Sequence, residues 1–197
     1  MSDRSIHSAA ALLVPLSMVV MLLLSGIPYN PELPKETEIS HTGGMILDAV
    51  MVKDIDSGTG GSDPGDFAVM GNTLYFTADD GTAGYELWKS DGTEAGTEMV
   101  MDINNVGDSS PTDLTVMAGT LYFSADDGGG GTGSENRGLW KSDGTTSGTM
   151  KVDDIWNGAG GGDPAHLTVM GNSLYFQAKR VSSGVELWTS DGTSSGT

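Results

Sequence analysis

Apolar residues in this chain occur in short blocks separated by turn-forming residues. The strings FAVMGNTLYFTA (67–78) and LTVMGNSLYFQA (167–178) each place two apolar blocks around a Gly-Asn pair. Two extended blocks joined by such a pair predict a tight β-hairpin. The middle copy has Ala118-Gly119 at the same point, so its turn type is expected to differ.

The first two predicted hairpins are each followed by two further strand-like strings. These are ELW or GLW and then a block that ends in isoleucine, VMDI or VDDI. The third hairpin is followed by ELW. The spacing is fixed except between LYF and LW, where the second copy inserts GGGGTGSENRG. This pattern predicts three copies of one four-stranded unit, at about 51–98, 99–149 and 150–197.

The side-chain alternation within a unit predicts apolar contact on both faces of its sheet. Leu74 and Phe76 share one face, whereas Tyr75 points to the other, and Leu87 and Trp88 again point both ways. Sheets stacked like propeller blades need such two-sided contact, and four strands in about 50 residues is the size of a blade. We therefore expect an all-β, propeller-like array of three repeats, with a β-sandwich as the alternative.

A twelve-residue string recurs within these units as ELWKSDGTEAGT, GLWKSDGTTSGT and ELWTSDGTSSGT. Asp-Gly at its centre is typical of a turn, because Asp accepts a nearby backbone N–H and Gly supplies a positive φ. Threefold recurrence favours a structural motif over a reactive site. Its predicted structural residues are Trp88, Asp91, Gly92, Trp140, Asp143, Gly144, Trp188, Asp191 and Gly192.

The string resembles the repeat of the ELWxxDGT repeat proteins, a group of mostly large exported proteins from bacteria and archaea. The first and third copies match every defined position, and the second departs only by Gly138 in place of Glu. The resemblance implies a secreted or surface β-repeat protein of propeller-like form. It implies no defined enzyme activity and no catalytic residues.

The third unit stops before its predicted fourth strand. One interpretation is that residues 51–55 close the last sheet, as ring-closing strands do, although a ring of three blades falls below the usual four to eight. The favoured interpretation is that further repeats of a longer chain follow, because repeat arrays need capping segments.

The N-terminus predicts export. Arg4 precedes an apolar run that has no charged residue between Ser5 and Pro31, which is typical of a signal peptide or a retained membrane anchor over residues 1–26. Residues 27–45 contain three prolines among polar residues and are expected to form a linker. Residues 46–197 then form the repeat domain, and contact with a membrane is expected only through the N-terminal segment.

Charge and composition exclude several partner classes. The formal net charge is −18, which disfavours binding to nucleic acid phosphates. There is no cysteine, so disulfides, thiolate catalysis and Cys-ligated zinc are excluded. Thirty glycines, mostly in loop-like clusters, fit many short strands joined by turns.

Calcium is the alternative cofactor, since Asp-Asp-Gly occurs at Asp79–Gly81 and Asp126–Gly128. Calcium requires six to eight converging oxygens, and the third copy has Lys179-Arg180 instead, so we expect no cofactor. The enzyme alternative is a propeller-type glycan-active hydrolase fragment, which needs two carboxylates about 5 to 9.5 Å apart. A calcium-stabilised adhesin repeat is a further alternative.

Residues that do not recur are the candidates for binding, because the architecture does not require them. They are Glu135, Asn136, Arg137, Lys179 and Arg180. We expect a non-catalytic module with a binding or structural role at the cell exterior, whose partner is an unidentified surface protein or glycan.

Overall fold

The computed structural model describes residues 49–129, 136–156 and 161–197. The chain divides into two units, Met1–Asp48 and Ala49–Thr197. The predicted N-terminal apolar segment, the whole of the predicted linker and Glu135 lie outside the described residues. Within the described ranges, no helix has the length and apolar character needed to cross a membrane.

The described part of the chain is all-β, as predicted, and its only helical element is a short 3₁₀ turn at Ser194–Gly196. Eleven strands are described there: β1 Gly65–Met70, β2 Thr73–Asp79, β3 Tyr85–Ser90, β4 Glu98–Met101, β5 Thr112–Met117, β6 Thr120–Asp126, β7 Arg137–Ser142, β8 Met150–Asp153, β9 Ala165–Met170, β10 Ser173–Arg180 and β11 Gly184–Ser190.

The strands form three antiparallel sheets in which each strand pairs with its neighbours in sequence. The first sheet has the order β1-β2-β3-β4, the second β5-β6-β7-β8, and the third β9-β10-β11. Residues 51–55 form no strand and do not complete the third sheet. The ring-closing alternative is therefore not realised in this structure, and none of the sheets is closed.

The predicted hairpin turns are confirmed. Gly71 and Gly171 have φ of +63°, while the Asn that follows each of them stays outside the positive region. In the second sheet Ala118 and Gly119 both have positive φ, +51° and +77°. Because a type I′ turn needs positive φ at both central residues and a type II′ turn only at the first, the middle turn differs from the other two, as expected.

The first strands of successive sheets lie side by side, β1 against β5 and β5 against β9. The Thr115 hydroxyl on β5 donates to the Leu167 carbonyl on β9 across 3.1 Å. Each of these strands begins with a bulge at which a non-glycine residue has positive φ: Asp66 at +50°, Asp113 at +59° and His166 at +60°. Asp is among the residues that tolerate this conformation best, and His166 occupies the same repeated position.

Packing between successive sheets buries both faces of the middle sheet. We call the face with the Leu and Phe of LYF and the motif Trp the front face, and the face with the Tyr of LYF and the motif Leu the back face. The back face of the first sheet packs on the front face of the second through Tyr75, Leu87, Val100, Leu121, Phe123, Ala125 and Trp140. The second and third sheets repeat this contact through Tyr122, Leu139, Val152, Leu174, Phe176, Ala178 and Trp188.

The front face of the first sheet is covered by its own chain. Ile55 packs against Phe76, Ala78 and Trp88, and the ring of Phe67 lies 6.0 Å from that of Phe76. Ile55 ends the string VKDI, just as Ile103 and Ile155 end VMDI and VDDI and contribute to the next two clusters. Residues 52–55 thus occupy the place that the end of a fourth strand has in the other two contacts.

Truncation of the middle tryptophan tests this packing. We expect Trp140→Ala to lower the free energy of unfolding by about 3–5 kcal/mol, because Trp140 is buried between the first two sheets. Trp188→Ala should cost less, because Trp188 is only partly buried. Chemical denaturation of both variants measures the difference, and equal losses would contradict the packing described here.

Candidate functional site

The loop of the repeated string is held by a network of hydrogen bonds among its own residues. The Asp91 carboxylate accepts from the Thr93 N–H and hydroxyl, at 2.9 and 2.7 Å. Thr93 in turn accepts from the Gly96 N–H at its hydroxyl, at 2.9 Å, and from the Thr97 hydroxyl at its carbonyl, at 2.7 Å. The Thr97 and Ser90 hydroxyls are 2.7 Å apart, so the network joins the loop back to the end of β3.

The other two copies reproduce this network with nearly the same distances. Asp143 accepts from the Thr145 N–H and hydroxyl at 2.9 and 2.7 Å, and Asp191 accepts from Thr193 at the same two distances. In each copy the hydroxyl of that Thr, followed by its N–H, lowers the pKa of the Asp below its ordinary value. The three carboxylates are therefore ionised acceptors within turns, which is the arrangement expected of a structural motif.

The loop also contacts the preceding sheet. The Lys89 ammonium on β3 donates to the Gly144 carbonyl across 2.9 Å, and Lys141 on β7 donates to the Gly192 carbonyl across 3.1 Å. In the opposite direction, the Thr146 hydroxyl donates to the Val100 carbonyl at 2.8 Å. Each DGT loop after the first is therefore bonded to the sheet before it.

A tyrosine hydroxyl from the preceding sheet lies over the glycine of each of these loops. A Cβ at Gly144 would clash with the Tyr75 hydroxyl, and one at Gly192 would clash with the Tyr122 hydroxyl. Gly92 has the same φ of +90°, but a Cβ there would have no atom within 4 Å. The motif glycine thus serves two purposes, a positive φ in every copy and a close approach between sheets in two of them.

Glu86, the first residue of the motif, is a fully buried carboxylate. It accepts from the Ile103 N–H at 2.9 Å, the Ser109 N–H at 3.0 Å and the Ser109 hydroxyl at 2.5 Å. Burial raises the pKa of Glu86 to about 7, although the three donors lower it. This side chain ties β3 to the segment that connects the first sheet to the second.

The other copies lack this carboxylate contact. The second copy has Gly138. Its Gly162 N–H donates to the Arg137 carbonyl across 3.0 Å, much as the Ser110 N–H donates to the Tyr85 carbonyl across 2.9 Å in the first copy. In the third copy Glu186 is exposed. Glu86 therefore differs from Gly138 in its side-chain hydrogen bonds, and from Glu186 in burial as well.

The residues predicted to form a binding face are partly brought together by the fold. Gly162 donates to the Arg137 carbonyl at 3.0 Å and accepts from the Lys179 N–H at 2.7 Å, so the second and third sheets meet there. The Arg137 guanidinium donates to the Ser110 and Ser124 carbonyls and to the Thr112 and Ser124 hydroxyls, at 2.7–3.2 Å. Arg137 is thus engaged within its own sheet.

The remaining members of the predicted face differ in their engagement. The Asn136 amide donates to Asp127 at 2.8 Å, and the Arg180 guanidinium lies 5.2 Å from the centre of the Trp188 ring. Lys179 is exposed. The binding role of this face stays a prediction.

The aspartates considered for calcium take part in local turns. Asp79 accepts from the Gly81 N–H at 2.7 Å, and Asp80 accepts from the Ala83 N–H and from the N–H and hydroxyl of Thr82 at 2.8–2.9 Å. The Asp80 pKa is lowered, chiefly by the Ala83 N–H. The described ranges contain no group of three or more His, Cys, Asp or Glu residues placed to hold a metal ion.

In the second copy the corresponding region holds a lysine. Lys151 lies 2.6 Å from Asp127 and 2.5 Å from Asp154. Burial by itself would lower the pKa of Lys151, but the hydrogen bonds to these two carboxylates raise it overall.

A shallow acidic cavity of about 460 Å³ lies beside the first sheet and is lined by Asp79, Asp102 and Asp108 together with loop residues 81–84 and 105–107. A second cavity, of about 250 Å³, is mainly apolar and lies at the front face of the first sheet, against Met51, Phe67, Leu74 and Phe76.

Sequence reasoning missed the residues that join the sheets: Tyr75, Tyr122, Lys89, Lys141 and Glu86. A signal was present, since the Tyr of LYF recurs in every copy and the Lys of WKS recurs in the two copies that precede another sheet, with Thr189 in the last. A scan against protein-family models and a search of curated proteins found no match to this chain.

The contact between tyrosine and glycine can be tested with alanine at two equivalent positions. Gly92→Ala and Gly144→Ala both carry the cost of positive φ, about 1–2 kcal/mol. Gly144→Ala should cost about 1–3 kcal/mol more, because its methyl group meets the Tyr75 hydroxyl. Adding Tyr75→Phe should remove much of this excess. Equal stabilities of the two alanine variants in chemical denaturation would show that the hydroxyl does not constrain Gly144.

The buried carboxylate makes a prediction about pH. The pKa of Glu86 rises from an ordinary value of 4.5 to about 7 on folding, so between these values the folded chain holds a proton that the unfolded chain has released. Stability from this group is therefore present at low pH and is lost as the pH rises through that window. Relative to Glu86→Gln, the native chain should lose up to about 3 kcal/mol between pH 4 and 8.

The matched control for this experiment is Glu186→Gln, which changes the equivalent but exposed residue. It should leave the pH dependence of unfolding unchanged. If the native chain and Glu86→Gln show the same dependence of stability on pH across this range, Glu86 does not have a raised pKa in the folded chain.

Proposed function

We propose that this chain is an exported, non-catalytic β-repeat module that binds or scaffolds at the cell exterior, and that its three sheets are arranged like propeller blades. The observation that carries the proposal is the use of the motif side chains. In all three copies the Ser, Asp and Thr hydrogen bond to their own loop, and the second and third loops bond to the preceding sheet. Groups so engaged serve the fold rather than a reaction.

The propeller-like arrangement is supported by how the sheets meet. Each sheet is a four-stranded meander or its three-stranded equivalent, and successive sheets pack back face to front face. The first strands lie next to one another, as the inner strands of blades do around an axis. A β-sandwich has two sheets, whereas the described residues form three. The resemblance to the ELWxxDGT repeat proteins is part of the same proposal.

The exported location is supported by the N-terminal sequence, in which one basic residue precedes a long apolar run. The net charge of −18 supports an extracellular surface protein or a glycan as partner in preference to nucleic acid. In this proposal, Lys179 and Arg180 are the cationic part of the binding face, in a chain that is otherwise strongly acidic.

One observation favours a glycan-active hydrolase as the second candidate. Burial and the neighbouring charge of Asp113 raise the pKa of Asp66, and a carboxyl pair with one raised pKa is the requirement for glycoside hydrolysis. The position recurs as Asp66, Asp113 and His166 at the bulge of each first strand. A conformational requirement of that bulge explains the first two carboxyl groups without catalysis.

Binding and turnover assays on the full chain separate the two candidates. We expect retention on a glycan array or on cell surfaces, reduced at least about tenfold by Lys179→Ala with Arg180→Ala, and no hydrolysis of saccharide or ester substrates. Lys89→Ala is the matched control, because it removes a cation that bonds between sheets. If the chain hydrolyses a substrate and both Asp66→Asn and Asp113→Asn abolish that activity, the chain is a hydrolase and the proposal of a non-catalytic module is wrong.

A further inference from the structure

The third sheet exposes a face that is covered in the other two sheets. The first sheet leaves only the rim of its front face open, beside the cover that Ile55 provides. Leu187 on the back face of the third sheet is 77% exposed, whereas its equivalents Leu87 and Leu139 are fully buried against the next sheet. On the first sheet, Phe67 at the rim of the front face is 59% exposed. The apolar cavity of about 250 Å³ lies beside it, against Leu74 and Phe76.

The contacts inside the chain show what such faces accept. Leu121 and Phe123, the equivalents of Leu74 and Phe76, pack in one cluster with Tyr75 and Leu87 of the preceding sheet. Leu174 and Phe176 do the same with Tyr122 and Leu139. A front face of this kind therefore receives a Tyr and a Leu from a back face, and the third sheet presents the same pair as Tyr175 and Leu187.

We propose that two copies of this chain associate head to tail, with the back face of the third sheet of one copy packed on the front face of the first sheet of the other. Tyr175 of one copy then lies over Gly92 of the second, as Tyr75 lies over Gly144 and Tyr122 over Gly192. Gly92 is exposed and has open space where a side chain would begin, which leaves room for that hydroxyl.

Residues 50–55 add to the fit at the strand edge. Val50, Met51 and Val52 are exposed apolar residues, and the string VKDI at 52–55 matches the sequence at the end of β4 and the start of the connection after it. The free edge of β11 in the first copy would lie next to this segment of the second copy, in the place that β4 and β8 take beside β3 and β7. The contact lacks one internal bond, because Thr189 stands where Lys89 and Lys141 donate to the next loop.

The stoichiometry follows from the proposed blade-like arrangement, whereas the contact itself follows from the packing inside the chain. A contact between unlike faces forms either a closed ring or an open filament. The described residues of two copies bring six sheets together, which is within the four to eight blades of known propellers. The exposed parts of both end sheets are then covered. The expected species is a dimer.

Sedimentation of the full chain over a range of concentrations tests the association. We expect a reversible dimer, and Leu187→Asp should weaken dimerisation at least about tenfold by placing a charge in the contact. Val106→Asp is the matched control, because Val106 is 81% exposed but lies in the connection between the first two sheets. A chain that stays monomeric at all concentrations, or equal effects of the two variants, would overturn the proposal.

Photo-crosslinking tests the orientation. With p-azidophenylalanine at position 175, we expect a product of two chains whose linked peptide contains Gly92. The same label at position 122 should crosslink within one chain, to the peptide containing Gly192. A link from position 175 to the Gly92 peptide of its own chain, or to another surface, would overturn the head-to-tail contact. The sedimentation and crosslinking results do not depend on whether the chain binds a glycan.

Discussion

Apolar side chains on both faces of each sheet are the constraint on which the rest of this structure depends. A sheet with one wet face needs a single covering layer, but here Phe123 and Leu139 are fully buried on opposite faces of the second sheet. Burying such a side chain contributes about 1.5–3 kcal/mol, so an isolated sheet of this kind would leave much of its stabilisation unrealised. In this structure each sheet covers an apolar face of the sheet next to it.

Close approach of the sheets sets the sequence of the connecting loops. The loop after the third strand must turn sharply, and it must also let a tyrosine hydroxyl from the preceding sheet rest on its backbone. Only glycine meets both needs at positions 144 and 192, since it takes a φ of +90° and has no Cβ to clash with the hydroxyl. The hydrogen bonds of the Ser, Asp and Thr around this glycine hold the loop in the conformation in which it contacts the tyrosine hydroxyl.

Much of the strand arrangement could be predicted from the sequence because it depends on residues that are close together in the chain. The Gly-Asn turns, the alternation in LYF and the fixed spacing of Trp88, Trp140 and Trp188 indicated hairpins and two-faced sheets. The contacts between sheets could not be predicted, since they depend on which sheet follows which face. Tyr75 and Lys89 looked like ordinary strand residues, and their partner Gly144 lies 55 residues beyond Lys89. The propeller-like arrangement of the sheets stays a prediction, because none of the described sheets is closed.

The two junctions that follow complete sheets show that one architecture tolerates two local solutions. After the first sheet, Glu86 receives three hydrogen bonds and is buried without a cationic partner among them. After the second, Gly138 removes the carboxylate, and a Cβ there would lie only 3.0 Å from the Asp153 carbonyl. The backbone bond between Gly162 and Arg137 remains, as does its counterpart between Ser110 and Tyr85 at the first junction, and Lys151 bonds Asp127 and Asp154 nearby. Burial raises the pKa of Glu86 to about 7 at the first junction, and the second junction has no equivalent carboxylate because Gly138 stands there. The single departure from the repeated string therefore removes one buried titratable group from this junction while the order of the sheets is kept.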